Sequence, residues 1–171
     1  MYKSSNLILG LLLLLPLATS ANIISTTGSI TASGAGSVAY TLFDQSTAGW
    51  TGISVNSRDF DTYVYLFESN GALDDTDYIT HNDDGGLGFN SFIGRMLSAG
   101  SYILAVSDFH LSLSEALSGY NSNNRYGDYA ITIASRAEVG FNSSSVPEPT
   151  TLSLLGLGLL GVGISRRRAK K

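Results

Sequence analysis

Between Ile23 and Ser135 the chain alternates between apolar and polar residues with a period close to two, in short runs broken by turn residues. A period of two puts successive side chains on opposite faces of a strand, whereas a helix needs a period of 3.6. The runs that read as strands are "SVAYTLFD" (Ser37 to Asp44), "TGISVNS" (Thr51 to Ser57), "TYVYLFES" (Thr62 to Ser69) and "YITHN" (Tyr78 to Asn82). Three more follow: "SFIGRML" (Ser91 to Leu97), "SYILAVSD" (Ser101 to Asp108) and "DYAITIAS" (Asp128 to Ser135). "SNGA" after Phe67 and "SAGS" after Leu97 supply turn chemistry. "LSLSEALSGYNSNNR", from Leu111 to Arg125, fits the pattern least and reads as a loop or a single helical turn. An all-β, antiparallel sandwich of seven to eight strands is the expected fold. The 19 Gly, 9 Tyr and 7 Phe of the 171 residues agree with it.

Charge divides the chain. All 14 acidic residues lie between Asn22 and Pro149, where Arg58, Arg95, Arg125 and Arg136 are the only cations, so this segment carries −10. A surface of that sign repels phosphates, and no nucleic acid is expected as a partner. The absence of cysteine removes disulfides, thiolate metal sites and a cysteine nucleophile.

The two ends are apolar. "MYKSSNLILGLLLLLPLATSAN" places Lys3 before an apolar run from Leu7 to Leu17 and then small residues. That is the build of a secretory signal peptide over residues 1–21, which signal peptidase would remove after Ser20 or Ala21. Residues 150–171 open with an apolar stretch from Thr150 to Ser165, about 24 Å long as a helix against a hydrocarbon core of about 30 Å. A marginal transmembrane helix is expected here, with Arg166, Arg167, Arg168, Lys170 and Lys171 as a cytoplasmic stop. "GLGLLG" at Gly156 to Gly161 matches a dinucleotide fingerprint only in form, because no strand precedes it and no βαβ unit surrounds it.

Before this stretch stands Val146-Pro147-Glu148-Pro149. Each proline fixes its own φ and pushes its predecessor out of the α region, giving a stiff, extended peptide. With the upstream "FNSSS", residues 142–149 form a spacer that a membrane enzyme could read by its backbone. The motif, the Leu/Gly-rich helix and the Arg166-Arg167-Arg168 cluster together resemble the PEP-CTERM sorting signal of Gram-negative bacteria. The resemblance implies an exosortase as partner, an inner-membrane intermediate, and delivery to the cell surface or the medium, typically where exopolysaccharide is made.

The central segment, residues 22–141, has a resemblance of its own. "DFDTYVYLFESNG", then "DDGG", then "SFIGRMLSAGSYILAVS" is similar to the bacterial pre-peptidase C-terminal domain. The features that carry it are Asp61 before an aromatic-rich strand, Asp83-Asp84-Gly85-Gly86, and Leu97 and Gly100 before Tyr102. It implies a jelly-roll-like β-sandwich without catalytic machinery, in a family with calcium- and matrix-binding members. The Ala99-Gly100 turn is expected to close a hairpin, with Tyr102, Leu104 and Val106 on one face.

Asp59, Asp61, Asp74, Asp75, Asp77, Asp83 and Asp84 crowd one stretch of sequence. If the strands fold back as expected, several of them converge and offer hard oxygen ligands to Ca²⁺; otherwise they are a solvated acidic loop. Asp61, Asp74, Asp75, Asp77, Asp83 and Asp84 are the candidate ligands. The EF-hand template fails, since Asp84-Gly85 in its fifth and sixth positions puts Thr80 first and Ser91 twelfth. "GGLGFNSF" approaches a calcium β-roll repeat, but Asn90 stands where Asp is needed and there is one copy. Carboxylate pairs also serve glycosidases, so a small secreted hydrolase is the alternative to a display protein. No G-x-S-x-G elbow accompanies His81 or His110, and His81 reads as a half-buried strand residue. Tyr120, Tyr126 and Tyr129 around "NSNNR", with Trp50 in a turn, serve either exopolysaccharide stacking or packing and loop anchoring.

Overall fold

The computed structural model describes residues 20–31, 34–122 and 125–142. The signal-peptide expectation for residues 1–21 falls almost wholly outside them. So do the PEP motif and the transmembrane expectation for residues 150–171. Among the described residues no helix is long and apolar enough to cross a membrane.

Two antiparallel sheets account for most of the fold. The first has four strands in the order β1 (Asn22–Ile30), β10 (Gly127–Ser135), β4 (Gly49–Ser57) and β7 (Ser91–Leu97). The second has five, in the order β11 (Val139–Phe141), β3 (Ala39–Gln45), β8 (Gly100–Asp108), β5 (Thr62–Glu68) and β6 (Tyr78–Asn82). A two-stranded ribbon, β2 (Gly34–Ala35) with β9 (Tyr120–Asn121), completes the described strands. All seven runs read from the sequence are strands, but four further ones appear. β1 escaped because "NIISTTGSI" is mostly hydroxyls and glycine, and its pairing with β10 from Asn22↔Ser135 to Ile30↔Gly127 holds it in place.

The alternation turns one face of each strand inward: buried positions alternate with mostly half-buried ones in β10, and half-buried with exposed ones in β1. Ile53, Val55, Ile131 and Ile133 face Phe43, Val64, Leu66, Leu104 and Val106 across the space between the sheets. Tyr102 joins that core with Leu104 and Val106, as expected, and its ring stacks on Phe43 at 5.3 Å. β5 reads apolar throughout because both its faces are covered. Val64 and Leu66 point inward, while Tyr63, Tyr65 and Phe67 face a second cluster with Leu111 and Ala116.

That second cluster lies under α1 (Leu113–Ser118), a formed helix where the sequence left loop and turn open. Ser112 caps it, and Glu115 reaches back to the Ser112 backbone N–H at 2.9 Å. Hydrogen bonds from the Ser112 hydroxyl and backbone, with those from Ser122, pull the Glu115 carboxyl down to about 2.

The expected hairpin at Ala99-Gly100 does not form. β7 pairs with β4 and β8 with β3 and β5, so this turn carries the chain from one sheet to the other. A short turn between two amphipathic strands can close a hairpin or bridge a sandwich, and burial of both apolar faces decides for the bridge.

Candidate metal centre

Strand direction gives the sandwich two ends. At one end lie the starts of β3, β5, β7 and β10 and the finishes of β1, β4, β6 and β8, as the pairs Thr62↔Asp108, Val64↔Asn82, Val55↔Ser91 and Ile30↔Gly127 require. Asp61 stands immediately before β5 at this end. The Asp83–Asn90 loop joins β6 to β7 beside it.

The loop is tied down by its own polar groups. Asn82 Oδ1 accepts hydrogen bonds from the backbone N–H of Gly85 and of Phe92, each 2.8 Å. Gly86 N–H donates to the Asn90 carbonyl at 2.7 Å, and Thr62 N–H donates to the Phe89 carbonyl at 3.1 Å. Asn90 itself is a clamp: its Nδ2 donates to the Leu87 carbonyl at 2.7 Å and its Oδ1 accepts from Ser57 N–H at 2.9 Å. A Cβ at Gly85 would stand 2.6 Å from Asn82 Oδ1, and one at Gly86 would stand 2.6 Å from the Asn90 carbonyl oxygen. Only glycine permits approaches of that kind.

Folded in this way, the loop brings Asp83 and Asp84 to Asp61, with a ligand oxygen of each within 4.8 Å of the others. Asp61 and Asp83 are half-buried and Asp84 is exposed. Asp61 Oδ1 and Asp83 Oδ1 are nevertheless shut off from solvent and accept no hydrogen bond. Buried carboxylate oxygens without a partner are costly, and a cation is one group that satisfies them.

The electrostatics agree. Desolvation, then the charges of Asp83, Asp84 and Asp108, push the Asp61 carboxyl up to about 6, with Arg125 opposing. Desolvation and then Asp84 raise Asp83, against His110 and His81. Asp108, buried at the end of β8, is also raised by desolvation. Three hard oxygen donors from an irregular loop and a strand start suit Ca²⁺ better than a metal demanding nitrogen or sulfur.

The six candidate ligands do not form one group. Asp74, Asp75 and Asp77 belong to a 3₁₀ turn before Tyr78, at the other end of β6 from Asp83. Five strand residues set the two acidic groups about 17 Å apart. Asp74 and Asp77 are engaged locally: Asp74 Oδ1 accepts from the Thr76 hydroxyl at 2.6 Å and the Thr76 N–H at 2.8 Å, and Asp77 Oδ2 accepts from Asp74 N–H at 2.9 Å. Those bonds, the Thr76 hydroxyl first, lower the Asp74 pKa. Asp59 is exposed, and its Oδ2 accepts from Asp128 N–H at 2.9 Å. Asp108 carries no such signal in the sequence, because its neighbours read only as a strand end.

Other expectations change as well. His81 is exposed rather than half-buried, since β6 is an edge strand; its ring stacks on Tyr65 at 5.0 Å and bonds the Tyr78 hydroxyl at 2.8 Å. Trp50 lies within β4, not in a turn, and its ring covers Gly52 and Gly94. Tyr129 packs in the core at 6% exposure, because β10 turns that position inward. Tyr120 and Tyr126 are exposed, but Trp50 sits near the opposite end of the sandwich, so these aromatics make no single surface.

Comparison with known proteins finds similarity in the fold and, separately, in the tail. A crystal structure of the pre-peptidase C-terminal domain of collagenase from Bacillus anthracis superposes with a TM-score of 0.45 at 17% identity, covering 64% of this chain and 87% of that one. No curated protein matches. The tail is matched separately, as a PEP-CTERM protein-sorting motif that marks an exported protein and implies processing by an exosortase. Residues 145–168 carry that sorting motif.

Proposed function

We propose that the chain is an exported, non-catalytic β-sandwich of the cell surface or extracellular matrix that holds one Ca²⁺ at Asp61, Asp83 and Asp84. Its export runs through an exosortase, from an intermediate anchored in the membrane by residues 150–165 with Arg166, Arg167 and Arg168 as the stop. The sorting motif supports the route. The observation that carries the site is the pair of solvent-excluded oxygens, Asp61 Oδ1 and Asp83 Oδ1, that accept no hydrogen bond within a three-carboxylate cluster.

In this reading the ion is structural. It fastens the Asp83–Asn90 loop to the start of β5 and cancels the mutual repulsion of the three acids. Asn82, Asn90, Gly85 and Gly86 hold the loop so that little reorganisation accompanies binding.

Thermal melting with Ca²⁺, with Mg²⁺ and with chelator tests it. At a hundredfold excess over the dissociation constant, binding adds about 2.7 kcal/mol. For a domain of this size that raises Tm by about 10 °C. Mg²⁺ should do much less, because it demands near-octahedral geometry and keeps its waters. Asp83→Asn/Asp84→Asn should abolish most of the rise, and Asp74→Asn/Asp75→Asn should leave it intact. Superimposable curves with Ca²⁺ and with chelator would sink the site.

A further inference from the structure

The largest departures from ordinary surface chemistry lie at the same end of the sandwich as the acidic cluster. Leu87 is 89% exposed and Phe89 71% exposed, on the tip of the loop whose base is pinned by Asn82 and Asn90. Phe109 and Tyr126 are exposed at that end as well, just past the finish of β8 and just before the start of β10. An open cleft of about 590 Å³ runs beneath Leu87 and Phe89, with Arg58, Arg125, Asp59 and Asp61 along its wall. Its lining therefore combines apolar and charged side chains. Exposed Ile23, Trp50 and Met96, by contrast, sit on strands at the other end.

Strand direction supplies the second half of the argument. β11 runs antiparallel to β3, from Val139↔Gln45 to Phe141↔Phe43, and Asn142 N–H then donates to the Leu42 carbonyl. The chain thus leaves the domain heading toward the Ala39 end of β3, which is the Leu87–Phe89 end. Nine Cα–Cα steps separate Phe141 from Thr150, where the apolar run begins. Fully extended they span at most about 30 Å. The start of the apolar run therefore lies within about 30 Å of Phe141, on a tether that departs toward this end.

We infer that the Leu87–Phe89 loop is a membrane-contacting tip, which seats in the interfacial layer of the bilayer while the chain is anchored by residues 150–165. This rests on the anchored intermediate of the proposed function. Apolar side chains flanked by polar and aromatic groups bind at that depth without spanning the membrane. Seating there would also lower the domain over the PEP motif. The sorting peptide would then lie between the sandwich and the bilayer, at the height from which a membrane enzyme reads it.

Trp50 makes the test internally controlled, because it is the only tryptophan and lies near the far end. The full chain is reconstituted in phosphatidylcholine vesicles whose acyl chains carry bromine, and flotation establishes anchoring. Two variants move the reporter, Trp50→Phe/Leu87→Trp and Trp50→Phe/Phe89→Trp. Positions 87 and 89 are exposed enough for either indole, and melting curves check folding. The expected result is a blue-shifted emission at 87 and 89, quenched severalfold more by the brominated lipid than that of native Trp50. Chain that floats with the vesicles but shows equal quenching at the two ends overturns the membrane tip alone. Chain that fails to float overturns the anchored intermediate, and the tip with it.

Discussion

Asp61 carries opposite consequences with and without a cation. In the folded domain its carboxyl titrates at about 6 against an ordinary value of 3.8, chiefly through desolvation and then the charges of Asp83, Asp84 and Asp108. Between those values the native state binds more protons than the unfolded one, so stability falls as pH rises. Metal-free protein should therefore lose stability from about pH 4 to about pH 6 through this group, and Asp61→Asn should flatten that part of the profile. Added Ca²⁺ should reverse the trend, because the ion competes with the proton for the same oxygens and binds more tightly as the carboxyl ionises. Melting across that range, with chelator and with Ca²⁺, reads both arms. A wild-type profile unchanged by Asp61→Asn would show that the raised pKa is not felt by folding.

The element with the clearest separable contribution is α1. It is six residues long, too short to hold itself, and depends on the Ser112–Glu115 capping box, the left-handed Gly119 at its end and the packing of Ala116. The Tyr40 hydroxyl donates to the Ala116 carbonyl at 2.6 Å, and burial pushes that phenol up to about 12. Ser112→Ala should cost about 1 kcal/mol, which for this domain lowers Tm by about 4 °C. The calcium-dependent rise should survive, because α1 packs on the outer face of the second sheet and supplies no residue of the acidic cluster. The variant should also lose part of the stability that Glu115 adds above its ordinary value of 4.5. In the wild type that part disappears as pH falls from 4.5 toward about 2, since the folded carboxyl is the stronger acid. Acid melting of the two proteins compares them directly.

At the scale of the whole molecule, the sandwich and the tail do separate jobs. The sandwich presents a carboxylate cluster and an exposed apolar loop at one end; residues 145–168 carry the sorting motif a few residues beyond β11. Processing by an exosortase should remove residues 150–171 from the surface-exposed or released form. Mass spectrometry of that form from an exosortase-positive host should find a C-terminus within or just after residues 146–149. An intact C-terminus on surface protein would contradict it.

How much of this was written in the sequence differs from one feature to the next. The period of two in "DYAITIAS" was enough to place β10, because alternation is a property of neighbouring residues, and the unbroken aromatic and aliphatic run in "TYVYLFES" placed β5. The tail was legible for a similar reason: Pro147, Glu148, Pro149 and Arg166 to Arg168 form a contiguous pattern that needs no partner elsewhere. β1 was not legible, since hydroxyls and glycine become a strand there only beside β10. Nor was the destination of the turn at Ala99-Gly100, which depends on the burial of faces remote in sequence. The acidic stretch shows the division most sharply. Asp77 and Asp83 are six residues apart, yet β6 carries them to opposite ends of the sandwich. Asp61 and Asp83 are 22 apart, yet the glycine-built loop brings their oxygens within 4.8 Å. Sequence determines which chemistry the chain owns; strand direction and long-range pairing decide which of it meets.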